Sequence, residues 1–241
     1  MDNSFEEINF KLNSKENFIF KKKSNLFIPT GTTNLLLNSI INYNPKPGKL
    51  LDLGAGIGIN GIILKLKKIA LSPVYLSDLN KNSIDCININ ADKYNCKVVV
   101  KEGSLFDPWK NYKFDIIVND VSGISSKIAE ISNWFKGVPC DSNEDGTKLT
   151  ISIINEAKQY LKKNGKLFLP IISLCNKKKI IDELKRNYSN IELLKTQEWP
   201  LPKEILDHKA LLDRLENENK IYLKSKFGMK IFETSIYMVN N

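Results

Sequence analysis

From residue 49 onward the chain alternates two patterns of apolar and polar positions. Short apolar runs occupy 49–54, 72–79, 97–101, 113–120, 165–172, 190–196 and 230–239. Between them lie stretches with apolar side chains three and four apart, at 59–70, 81–94, 147–162 and 176–188. The runs read as strands and the longer stretches as amphipathic helices. In 81–94, Ile84, Ile87, Ala91 and Tyr94 share one face. In 147–162, Leu149, Ile153, Ile154, Ala157, Tyr160 and Leu161 do so. Strands that alternate with helices predict βαβ units. The expectation is an α/β fold with a seven-strand, mostly parallel sheet and helices on both faces. The last run, MKIFETSIYMV, alternates apolar and polar residues, which suits an antiparallel strand near an edge.

Residues 1–44 stand outside this rhythm and read as an N-terminal extension to a main domain at 45–241. A short strand-rich segment precedes Ile28-Pro29-Thr30-Gly31, and a helix led by Leu35, Leu36 and Leu37 follows. Pro45, Pro47 and Gly48 end that helix before the first core strand. Residues 121–146 and 199–228 read as long connections, a kind of segment that often binds ligands.

Composition narrows the class. A chain of 241 residues with 42% hydrophobic and 26% charged positions has enough apolar material for one domain with a full core. No apolar run approaches the roughly 20 residues of a membrane helix, so no membrane association is expected. The opening MDNSFEEINFKLNSKENF has no apolar signal core, and a cytoplasmic location is the expectation. Cys86, Cys96, Cys140 and Cys175 are scattered and His208 is the single histidine, so no metal site is expected. The net charge of +9 raises a nucleic-acid partner. Yet Arg186 and Arg214 are the two arginines, and arginine is the residue preferred for bidentate phosphate and base contacts. The lysine runs at 21–23 and 177–179 read first as solvated faces.

Chemistry concentrates at LLDLGAGIGING, residues 50–61. A strand, alternating glycines and a helix start make a site for a negatively charged group. The glycines let the backbone approach, and the first-turn N–H groups point at the ligand. Two readings fit. Gly56-Ile57-Gly58-Ile59-Asn60-Gly61 matches the dinucleotide pattern GxGxxG, with Asp78 about 20 residues on. Alternatively, Asp52 two residues ahead of Gly54-Ala55-Gly56-Ile57-Gly58 matches the glycine turn of methyltransferases.

Further landmarks follow in order. Asp78 and Leu79 stand in YLSDLN, and Ser104 and Leu105 in EGSLFDPW. Asp120 closes KFDIIVND, Thr33 lies in IPTGTTNLLL, and NEDGTKLTISIINEAKQYLKKNGKLFLP comes downstream. Together, over roughly residues 27–172, they make the chain resemble a class I S-adenosylmethionine-dependent methyltransferase. It is most similar to the group that holds glutamine N5-methyltransferases and small-domain RNA methyltransferases. The resemblance implies a Rossmann-like fold, with residues 1–44 as a lid over the cofactor, and S-adenosylmethionine as that cofactor. It implies that Asp52, Gly54, Ala55, Gly56 and Gly58 form the cofactor turn. It puts Asp78 and Leu79 at the ribose and Ser104 and Leu105 at the adenine, and counts Thr33 and Asp120 among the cofactor-binding residues as well. By the same resemblance Asp120 orients the nucleophile and accepts its proton. The family's NPPY is here Asp120-Val121-Ser122-Gly123, without the prolines or the stacking aromatic. Ser122 and Trp134 are candidate substrate contacts, with 134–140 shaping the pocket. No segment reads as the helical substrate-holding domain of release-factor methyltransferases.

The acceptor is then a nitrogen or oxygen of a metabolite or protein group. Three alternatives stand beside it: a nucleic-acid base methyltransferase, an NAD-dependent oxidoreductase, and a cofactor-binding module without turnover.

Overall fold

The computed structural model describes residues 5–121, 123–138 and 140–241. Strands β1 (Phe5–Lys11) and β2 (Asn17–Lys23) form an antiparallel hairpin separate from the main sheet. Helix α1 (Gly31–Tyr43) follows; Thr30 caps it by accepting the Thr32 N–H, and Asn44 ends it in the left-handed conformation. Then comes the predicted alternation: β3 (Leu50–Leu53), α2 (Ile59–Leu66), β4 (Val74–Asp78), α3 (Lys81–Lys93), β5 (Val98–Glu102) and β6 (Phe114–Asn119). Helix α2 stops at Leu66 rather than at residue 70. Lys68 takes a left-handed backbone (φ 62°) that turns the chain, and the buried Ile69 and Ala70 return it to Gly48.

The second half holds α4 (Ser126–Ile131), α5 (Lys148–Tyr160), β7 (Leu161–Ile172), α6 (Lys177–Asn187), β8 (Asn190–Pro200), α7 (Lys203–Leu206), α8 (Lys209–Asn217), β9 (Lys224–Lys226) and β10 (Met229–Asn240). Both predicted long connections thus contain structure. Residues 121–146 hold α4 and a 3-10 turn at Asn133–Phe135, and 199–228 hold the end of β8, α7, α8 and β9. Four-residue α7 and three-residue β9 are too short to show a period.

The sheet order is β5-β4-β3-β6-β7-β10-β8. The five strands from β5 to β7 run parallel, and β10 enters antiparallel between β7 and β8. Seven strands carry the sheet, and β9 adds a short eighth beside β10. Chain order reverses between β3 and β6. In open α/β sheets that switch point opens a crevice at the strands' carboxyl ends.

Strand period two divides the core. Leu50, Ile116 and Val118 face the layer of α1, α2 and α3, packing with Leu36, Ile62 and Ile87. Leu51, Leu53 and Ile117 face α5 and α6, with Ile153, Leu184 and the buried Trp109. Residues 5–44 join the first layer: Leu35, Leu36, Leu37 and Ile40 lie in that core, and the hairpin rests on α3. A third apolar cluster, including Ile128, Ile205, Leu212 and Phe232, closes the carboxyl end of the sheet beside β7, β10 and β8. Among the described residues no helix is long and apolar enough to cross a membrane.

Candidate active site

At the β3/β6 switch point a cavity of about 780 Å³ opens along the carboxyl ends of the strands. This is the upper part of the roughly 300–1,000 Å³ range of small-molecule pockets. One half is built by the ends of β3, β4 and β5, and the other by the ends of β6, β7 and β8 and the start of β10.

In the first half the glycine turn carries the wall. Gly54 (φ 66°), Gly56 (φ 55°) and Gly58 (φ 88°) all adopt left-handed backbone. A Cβ at Gly54 would fall 2.3 Å from Val121 Cγ2, so the turn passes β6 only as glycine. A Cβ at Gly56 would meet nothing within 4 Å, because this backbone faces open cavity. Asp78, at the end of β4, holds the turn: its Oδ2 accepts the Gly56 N–H at 2.8 Å and its Oδ1 accepts the Asn80 N–H at 2.9 Å. Burial pushes its carboxyl above the ordinary range, against the pull of those two N–H groups. Leu79, exposed at 71%, and Ala55, Ser104 and Leu105 complete this wall; Leu105 is itself left-handed (φ 41°).

Asp52 and Gly58 do not line the cavity. Strand alternation turns Asp52 to the same face as Leu50, under α2, where it is fully buried and its Oδ2 accepts the Gly61 N–H at 2.8 Å. Burial, and then the neighbouring Asp120 and Asp78 carboxylates, push it up to about 7. Its Oδ1 and the Oδ1 of Asn60 are buried without a hydrogen-bond partner in the protein.

Asp120 stands where the two halves meet, one residue past β6. Its Oδ2 accepts the Thr33 hydroxyl at 2.7 Å, which ties the first turn of α1 to the end of β6. Burial raises its carboxyl to about 6, although the Thr33 and Asn60 hydrogen bonds pull the other way. Thr33 thus reaches the cavity by holding Asp120, while the cap of α1 is Thr30. Ser122 lies outside the described residues.

The second half is apolar. Trp134 lines it, 5.6 Å from the Phe232 ring, and Phe135 packs 5.1 Å from Phe27. Trp199 lies against Gly31, where a Cβ would come within 2.6 Å of its ring, and its indole N–H donates to Thr234 Oγ1 at 3.2 Å. The sequence reading missed Asn60, Phe27 and Phe232 at this cavity, and placed Trp199 at the start of the long connection 199–228. Asn60 carried a signal, a polar residue in the first turn of a helix whose other polar side chain, Lys65, lies in the last turn. Phe232 and Trp199 carried none, because they meet through the β8–β10 register, which pairs them directly. Among the described residues no His, Cys, Asp and Glu cluster suits a metal ion.

Residues 19–120 match the family model described as Methyltransferase small domain. The chain is 31% identical over 137 residues to a bifunctional methyltransferase of Rickettsia conorii, covering 54% of this chain and 26% of that protein. It is 24% identical over 151 residues to a release factor glutamine methyltransferase of Geobacter sulfurreducens, covering 61% and 53%. It therefore matches about a quarter and about half the length of these two relatives. Among solved structures it superposes on the T. thermophilus 16S rRNA N2 G1207 methyltransferase, in complex with AdoMet and guanosine, with a TM-score of 0.59. That match has 14% identity and covers 95% of this chain and 50% of the other, so it speaks for the fold. The matched segment holds the glycine turn, Asp78 and Asp120, so the likeness to methyltransferases rests on residues that build this cavity.

Proposed function

We propose that the protein transfers a methyl group from S-adenosylmethionine to a nitrogen or oxygen nucleophile on a metabolite or protein group. The observation that carries this reading is the position of Asp120. It stands between a glycine-walled half fit for a nucleoside and an apolar half fit for an acceptor. The motif order resembles that of the small-domain and glutamine N5-methyltransferase group, which supports this reading.

The residues suit this cofactor, which supplies an electrophilic methyl group on a positively charged sulfur. The charged side chains on the cavity wall are Asp78, Asp120 and Asp141, with no lysine or arginine among the described lining residues. An acid-only wall favours a cationic ligand. The open backbone at Gly56 gives close approach to a nucleoside, and Asp78 keeps unused lone pairs for ribose hydroxyls. Residues 26–33 supply Leu26, Phe27 and Pro29 to the wall, which supports a covering role for the N-terminal extension.

Methyl transfer needs position more than covalent help. Asp120, fixed by Thr33, aims the nucleophile by accepting its N–H or O–H. The bound cofactor would supply its methyl group to the lone pair that Asp120 aims, and would keep the C–S bonding electrons on its sulfur. The acceptor's proton passes to the Asp120 carboxylate.

Asp120→Asn keeps an acceptor for Thr33 and removes the proton acceptor. Turnover with an acceptor found by screening labelled methyl donor is expected to drop about 100-fold, the low end for general-base removal. The affinity for S-adenosylhomocysteine should stay the same. Wild-type turnover should rise with pH through about 6 as Asp120 loses its proton. Undiminished turnover in the variant refutes the assignment.

A further inference from the structure

The apolar half of the cavity narrows the chemistry of the acceptor. Its wall is formed by Phe27, Leu149, Trp134, Phe135, Trp199 and Phe232. The aromatic rings are held in place. Phe27 and Phe135 pack on each other, as do Trp134 and Phe232, and Trp199 is pinned by its hydrogen bond to Thr234 and by Gly31. These rings therefore form a standing apolar surface.

The charge distribution points the same way. The chain holds 36 lysines and arginines, and none of them lines the cavity among its described residues. A polynucleotide would bring phosphates to a wall whose charges are all acidic. Affinity for such ligands depends on lysine or arginine beside the backbone. A glutamine side chain is thin and polar throughout. Seated here it would leave the aromatic wall wet and its amide with Asp120 as the one charged partner at the meeting point of the halves. A flat ring satisfies both features: its faces cover the aromatic wall, and a single amine or hydroxyl on its edge reaches Asp120.

Resting on the methyl-donor reading above, we infer that the acceptor is a neutral, flat, aromatic small molecule with one amine or hydroxyl group. It lies between Trp134, Trp199 and Phe232 and directs that group at Asp120.

The test is a fluorescence titration of the full chain with N-phenyl-1-naphthylamine, a neutral aromatic amine, in saturating S-adenosylhomocysteine. Saturable binding of one probe per chain is expected. Phe232→Ala and Trp134→Ala should each weaken it about tenfold, the equivalent of one lost ring contact of about 1.4 kcal/mol. Affinity for S-adenosylhomocysteine, measured on the same samples, should be unchanged and reports that each variant is folded. Oligouridylate and an Ala-Gln-Ala amide should not displace the probe from the wild type. Binding of S-adenosylhomocysteine without saturable probe binding, or displacement by either competitor, overturns the inference and leaves the donor reading standing. No binding of S-adenosylhomocysteine removes the donor reading and, with it, the assignment of this half to an acceptor.

Discussion

Asp52 and Asp120 are held by neighbouring strands, β3 and β6, and burial raises both carboxyls, to about 7 and about 6. In the unfolded chain an aspartate titrates near 3.9, as a rough reference. The folded state thus holds these protons at higher pH than the unfolded state does. The resulting stabilisation is full below the unfolded value and is lost as pH rises through about 6 to 7. Each group contributes about 1.4 kcal/mol for every pH unit over which only the folded state keeps its proton. Asp52→Asn retains an oxygen for the Gly61 N–H and cannot titrate. Melting temperature followed from pH 5 to 8 should fall for the wild type and fall less steeply for the variant; equal slopes would show that Asp52 is not protonated in the fold. At this scale the sequence was legible where a residue type has one use. Alternating glycines at a strand end mark a turn that must take left-handed backbone, and Asp78 follows at the next strand end. It was less legible where strand parity decides. Asp52 falls among the glycine-turn residues in the sequence, yet alternation directs it under α2 to the Gly61 N–H and away from the cavity. The burial of Asn60 could not be seen in its spacing.

One buried side chain ties the N-terminal hairpin to the glycine turn. Asn90, on α3, accepts the Lys21 N–H at 2.7 Å and donates to the Lys21 carbonyl at 2.9 Å and to the Ile57 carbonyl at 3.0 Å. It joins β2, α3 and the glycine turn in a single knot. Asn90→Ala removes three hydrogen bonds that contribute about 0.5–1.5 kcal/mol each, so a loss of about 2–4 kcal/mol is expected. Urea unfolding measures it. Because Ile57 sits in the turn, affinity for S-adenosylhomocysteine should fall as well; a variant as stable as the wild type would separate the hairpin from the core. Helices α3 and α5 were readable from periodicity, whereas nine-residue α8 was hidden inside the expected connection 199–228. Elements too short to repeat a pattern, α7 and β9, were not readable either. The extension of β8 to Pro200 was also hidden, because what lengthens it is pairing with β10.

Across the whole molecule the sheet sets the division of labour. Strands β5, β4 and β3 end in glycine, aspartate and small polar residues, while β7, β8 and β10 border the cavity with Pro170, Ile172, Trp199 and Phe232. Asp120 lies on the seam where strand order reverses. The +9 charge is carried elsewhere on the surface, with many lysines already paired to carboxylates, such as Lys177 and Lys224 with Glu233. The alternation of strands and helices announced this architecture. Of the aromatic half the sequence reading named Trp134 and the segment 134–140; Phe27 and Phe232 could not be foreseen, because they lie more than 200 residues apart. The central claim is that the glycine-walled half holds the methyl donor, and calorimetric titration of the chain with S-adenosylmethionine, S-adenosylhomocysteine and NADH tests it most directly. Binding of both adenosyl ligands at about micromolar Kd, equivalent to about −8 kcal/mol, with no heat from NADH, is the predicted result. Binding of NADH alone, or of none of the three, would contradict it.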